Sequence, residues 1–373
     1  MTNTITQLKE QAEKKFAELD LPTFNHGKGF ALNLTVDWEK VFAEIQRAED
    51  AEIIADEKVK VCKLSELGEE FISKYAQKLV SAENKLLALH YATNPEATVI
   101  IIPRDTKIEH PITINLKTSK AASAESIIVV AEEGAEATII EKNISEQDTH
   151  YQSRILQIYV EPRAKISYST LHGNHANTHS FICKRAEVLQ DAKIECFDFI
   201  LGEGITQVQL RSHLKEAGAE AQQYQAIVGT EAQQCDINSD AFHEHSNTTS
   251  VMLAKGILSE KSRAMHRGTI RVEKNAANCH GHQRSDMLLI GEEARCNAIP
   301  VLEVENDDVS CSHGTTMGQI DEEQLYYLVS RGLDEDLAKQ MLVTAFFEPI
   351  LRKISNEKTR EEILNTIQEK LGK

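Results

Sequence analysis

A short unit recurs along the middle of the chain: a small residue, a polar or charged one, then a strand-like run. It appears at Ala135-Glu136-Ala137, Ala164-Lys165-Ile166, Ala192-Lys193-Ile194, Ala219-Glu220-Ala221, Ser262-Arg263-Ala264 and Ala294-Arg295-Cys296, with starts separated by 29, 28, 27, 43 and 32 residues. Periods of about 20–50 residues mark solenoids, whose units are too small to bury an apolar face alone and must stack on their neighbours. The runs read as strands: Val99 to Ile102, Ile127 to Val130 and Ile155 to Val160 are rich in β-branched residues, and Val208 and Leu210 alternate with polar neighbours. An antiparallel sandwich would also space strands evenly. Asn-Gly and Asp-Gly hairpin signals are absent here, which favours a parallel β-helix.

Helices flank this core, giving three regions: 1–95 helical, 96–316 β-helix and 317–373 helical. At the start, Gln7 to Leu21 reads as a helix ending before Pro22, a second begins after Asp37 as N-cap, and a third is expected from Ser65 to about His90. Asn25 to Thr35, carrying Gly27 and Gly29, reads as a loop. After Gly318, Asp321 with Gln324 forms a capping box and Gly332 ends the helix that follows. A helix from Asp334 carries Leu337, Met341, Leu342, Ala345 and Phe346, with Pro349 expected to kink it. Thr359 with Glu362 reads as the start of the last helix.

A formal net charge of −17 repels phosphate backbones and anionic lipid surfaces, and no basic patch compensates, so neither nucleic acid nor membrane is expected as a partner. The N-terminus lacks the apolar segment of a signal peptide, so a cytoplasmic protein is expected. Seven scattered cysteines with no CxxC pair fit reduced thiols rather than a disulfide framework. There is no P-loop, no nucleophile elbow and no zinc helix, so no catalytic residue of this chain is expected. His243 with His245, His280 with His282, and the trio His172, His175 and His179 lack further ligands at fixed spacing and read as surface or turn histidines. Cys183, Cys196 and Cys235 read as structural.

Cys311-Ser312-His313-Gly314 has a different context, following a strand-like run and an acidic turn. On extended backbone a thiol and an imidazole two residues apart project to the same side, here at the end of the β-stack. A buried structural cysteine fits this position equally well. If the pair holds iron or a cluster, the other ligands come from another chain or from free thiol and sulfide.

The run from Pro300 to Gly332, with Cys311-Ser312-His313-Gly314 at its centre, resembles the signature segment of the SufB/SufD family and, in that core, the SufD branch. The resemblance implies a right-handed parallel β-helix flanked by helices. It implies a scaffold subunit of the SUF iron–sulfur assembly complex, pairing with a SufB-like subunit and a SufC-like ATPase, or with a second copy of itself. It places Cys311 and His313 at the subunit interface where a transient cluster or iron is shared, with no tightly bound cofactor. Ser285 stands where the SufB branch carries an essential cysteine, which favours the SufD branch. The family docks its C-terminal helices on the ATPase, making Leu325, Leu328, Val329, Met341 and Phe346 the expected partner-binding residues. Two other functions fit a β-helix: a carbohydrate-active enzyme, for which 5% aromatic residues is thin, and a purely structural oligomerisation module.

Overall fold

The computed structural model describes residues 3–21, 36–47, 51–76 and 83–371. Strands β4 (Thr98–Ile102) through β19 (Val309–Gly318) alternate between two sheets, even-numbered strands in one and odd-numbered in the other. All neighbouring pairs among them are parallel, so the chain winds through about eight coils as a parallel β-solenoid.

The register explains the irregular step in the sequence repeat. Ala135, Ala164, Ala192 and Ala219 precede odd strands, whereas Ser262 and Ala294 precede even ones. The 43-residue step therefore crosses from one corner of the coil to the other. Pairing of Glu220 with Thr249 puts the true continuation of Ala219 at Thr248, and pairing of Gln234 with Arg263 puts Gln233 one coil before Ser262. Small residues recur because these corners are fully buried, as Ala135, Ala164, Ala192 and Ala219 all are.

Most corners also carry a left-handed residue. Gly134 and Gly218 supply it without cost, but Arg163, Asp191, Glu231, Asn247, Glu260 and Asn278 also adopt positive φ. A non-glycine residue there carries a penalty of about 1–2 kcal/mol, offset in glycine by backbone entropy. Glu231→Gly is accordingly expected to raise stability by about 0.5–1 kcal/mol in urea denaturation. A loss would show that the Glu231 side chain contributes more than its strain.

The first coils are closed off. Helices α1 (Asn3–Glu18), α2 (Trp38–Glu44) and α4 (Lys85–Thr93) bury Ile5, Val41, Leu86 and Leu87 against Val99, Ile128, Tyr151 and Phe181 on the outside of the even sheet. Strands β2 (Glu52–Ile54) and β3 (Lys60–Lys63) add antiparallel edges to β5 (Ile112–Thr118) and β4. Asp37 caps α2 as expected, its carboxylate accepting from the Lys40 N–H. The continuous helix expected from Ser65 to His90 does not form. The Ser65 N–H is taken by the Glu96 carboxylate instead of a helix cap, Gly68 is extended, and α4 starts afresh on Asn84, whose side chain accepts from the Leu87 N–H. Part of that expected helix, and the loop expected at 25–35, lie outside the described residues.

At the other end, α5 (Glu322–Ser330), α6 (Glu335–Leu351) and α7 (Glu357–Leu371) follow the last coil. Asp321 accepts from the Glu323 and Gln324 N–H groups, and Gly332 stops α5 at φ +93°. Helix α7 begins earlier than Thr359, because Asn356 accepts from the Thr359 N–H and forms the cap. Val343, Phe347, Ile350 and Leu351 of α6 and Ile363 and Ile367 of α7 cover Phe197, Phe199, Tyr224 and Val228 on the outside of the odd sheet. Pro349 lies two residues from the end of α6, so it interrupts little of the helix.

Candidate functional site

The last coil, β18 (Arg295–Val304) and β19, is open. Among the described residues, strand β18 pairs only with β16 (Arg263–Val272) and β19 only with β17 (Cys279–Leu289), leaving two strand edges of ten residues each. Residues 312–319 are exposed throughout, and Ile299, Val304 and Met317 are exposed apolar side chains on this coil. Bare edges of this length are templates for further strand pairing.

Period-two alternation decides what the open end presents. In β17 the buried residues Cys279, Gly281, Gln283, Ser285 and Met287 face the lumen, while His280, His282 and Arg284 face out. The register Gly281 to Cys311 and Gln283 to His313 continues that inner face into β19. Cys311 and His313 thus stand side by side on the inward face of the terminal coil, at the mouth of the lumen. Opposite them β18 contributes Ala298, Pro300 and Leu302, in register with His266, Gly268 and Ile270.

Cys311 is half-buried beside Leu302, Val309 and Cys279. Burial pushes its thiol up, opposed by the Gly281 backbone group and reinforced by Cys279. Burial pushes Cys196, Cys235 and Cys296 to about 12, so those thiols stay protonated at neutral pH. Among the described residues all cysteines are free, and only Cys62 and Cys311 are not buried. No group of three or more His, Cys, Asp or Glu side chains among the described residues could hold a metal ion. Cys311 and His313 put one thiol and one imidazole on this face, fewer groups than a metal ion or cluster requires.

The other histidines part company in space, and several are not at the surface. His172 lies in the lumen, its Nε2–H donating to Asp198 Oδ1 at 2.8 Å. His179 is buried against Trp38 and Tyr151 on the outside of the even sheet, and His243 is buried between Thr248 and Ser250. Of the histidines in those pairs and the trio, His245, in the loop after β14 (Gln234–His243), and the outward-facing His280 and His282 are exposed, with His282 Nδ1 2.9 Å from Ser312 Oγ. Alternation alone does not reveal which face of a solenoid strand is the lumen, so no local signal marks these histidines as buried.

The C-terminal helices also divide. Leu325 and Leu328 are half-buried, whereas Tyr326, Tyr327, Val329, Leu337 and Met341 are exposed. Phe346 packs on the solenoid, with Lys255 Nζ 4.3 Å from its ring centre, and so lies away from the exposed Leu337 and Met341.

The family model described as SUF system FeS cluster assembly, SufBD core domain, matches residues 114–346, spanning the solenoid from β5 into α6. The chain belongs to the SufBD family. It is similar to an iron–sulfur cluster assembly SufBD family protein of Staphylococcus saprophyticus, 24% identical over 94% of this chain and 76% of the relative. A SufBD family protein of Staphylococcus aureus is 27% identical over 78% of this chain and 63% of the relative. The SufBD family acts in iron–sulfur cluster assembly, which displaces the carbohydrate-active reading of the solenoid. None of the described helices is long and apolar enough to cross a membrane.

Proposed function

We propose that this SufBD protein is the SufD-like scaffold subunit of a cytoplasmic SUF assembly complex, without an active site of its own. The observation that carries this reading is the open terminal coil, where two bare strand edges flank an inward-facing thiol and imidazole. A second β-helix, from a SufB-like subunit or another copy of this chain, pairs along those edges and brings the donors that Cys311 and His313 lack. Iron or a nascent cluster is then cargo held across the interface. The SufC-like ATPase docks on the exposed apolar side of α5 and α6 and drives the interface open and closed.

Co-expression with SufB-like and SufC-like subunits tests this. The wild-type chain is expected to co-purify with both and to support a visible iron–sulfur absorption in the isolated complex. Failure to retain the SufC-like subunit removes the SufD-like assignment. Leu337→Asp with Met341→Asp places two charges in the exposed face and is expected to lower ATPase retention at least about tenfold, without disturbing the Phe347 core. Unchanged retention in affinity purification moves the docking surface elsewhere.

A further inference from the structure

One coil inside the mouth, the lumen holds a polar side chain that the fold leaves without a partner. Gln283 is 1% exposed, and among the described residues neither its amide oxygen nor its amide nitrogen has a hydrogen-bond partner. Its amide reaches across the lumen onto Gly268 of the even sheet: a Cβ added at Gly268 would lie 2.8 Å from the Gln283 Cδ. Glycine at 268 is what makes room for it. The neighbouring polar groups are already committed. His266, held neutral by burial with a pKa of about 4, lies 3.0 Å through Nε2 from Gln225 Oε1 and 2.9 Å through Nδ1 from Ser285 Oγ. Because the amide oxygen of Gln225 only accepts, Nε2 carries the proton and Ser285 donates to Nδ1. Gln225 in turn donates to Ser239. None of these groups satisfies Gln283.

An unpaired buried amide is costly, and the outward neighbour of Gln283 on the same face is His313, with Cys311 one inward position along. Building on the scaffold reading above, we propose that Gln283 is a positioning residue for the cargo held at Cys311 and His313. Its Nε2–H donates to an anionic sulfur of the cargo, and its Oε1 accepts the ring N–H of His313, fixing the tautomer that leaves the other ring nitrogen free to bind iron. Hydrogen bonds to sulfur and to the far side of a ligand imidazole are general means of holding and tuning such sites.

Removing an unsatisfied amide and removing a structural one have opposite consequences. Gln283→Leu, in the complete complex, is expected to keep or raise the melting temperature of the cargo-free complex while lowering retention of ferrous iron and sulfide after anaerobic gel filtration about tenfold, with a shifted visible absorption. Gly268→Ala, which crowds the amide without touching Cys311 or His313, is expected to weaken retention too, and to add little in a Gln283→Leu background. Cys311→Ser is the reference. If Cys311→Ser loses cargo but Gln283→Leu has wild-type retention and spectrum, the proposed role of Gln283 is wrong and the scaffold reading stands. If Cys311→Ser itself retains cargo, the scaffold site is wrong. A lower melting temperature for Gln283→Leu with unchanged spectrum makes Gln283 a packing residue.

Discussion

Lys184→Met is expected to cost about 3–5 kcal/mol of stability, because it strands a buried carboxylate. Lys184 of β10 (His179–Val188) crosses the lumen from the even sheet and reaches Asp198 Oδ1 at 2.5 Å and Thr170 Oγ1 at 2.6 Å on the odd sheet. Asp198 and His172 are fully buried and Lys184 nearly so. Burial alone would raise the Asp198 carboxyl, but the Lys184 ammonium and the His172 ring outweigh it and hold the pKa at about 2. Burial keeps His172 neutral, so it serves as a donor rather than a second cation. Since the folded pKa lies below the ordinary carboxylate value of about 4, this contribution is complete above pH ~4 and is lost as pH falls toward 2. Urea denaturation at neutral pH measures the first effect, and repeating it down the acid range measures the second. Lys184→Met with Asp198→Leu removes both charges and is expected to recover much of the loss. A loss below about 1 kcal/mol for Lys184→Met alone would mean that water reaches the pair and that the lumen is wetter than its burial implies.

Cys311→Ala with His313→Ala is expected to leave the fold and the subunit complex intact while reducing cluster formation at least tenfold, since loss of even outer partners of a metal ligand costs about 10–100-fold. Cys311 is half-buried and His313 exposed on the last coil among the described residues, so little packing depends on either. Co-purification of the subunits and visible absorption of the isolated complex give the two readouts separately. Wild-type absorption in the double variant would make this coil a purely structural interface, the oligomerisation role that a β-helix can also play. Loss of co-purification would instead assign both residues to the interface itself.

The solenoid was legible in the chain because its signal is local and repeated. The corners before four successive odd strands each hold a small buried residue, and many strands alternate, so Ala135, Ala164, Ala192 and Ala219 announce the period without any knowledge of contacts. The capping residues Asp37 and Asp321 were legible for the same reason, since a cap is satisfied within three residues of itself. Ser65 misled because its backbone N–H was claimed by Glu96, about thirty residues away, and no local rule anticipates that competition. The step of 43 in the repeat misled similarly, because Ser262 and Ala294 at one corner are small like the alanines at the other and only strand pairing tells the two corners apart.

The sequence by itself determined the period, the parallel stacking and the presence of a thiol and an imidazole on one face of one strand. Only the tertiary structure decided which face that was. Alternation specifies two faces but labels neither, and the label comes from the opposite sheet: Lys184 meets Asp198, Gln283 lies on Gly268, and Cys311 and His313 face the lumen because the register with Gly281 and Gln283 puts them there. Those contacts join residues that lie far apart along the chain or on different sheets, so their energies exist only once the coils have closed.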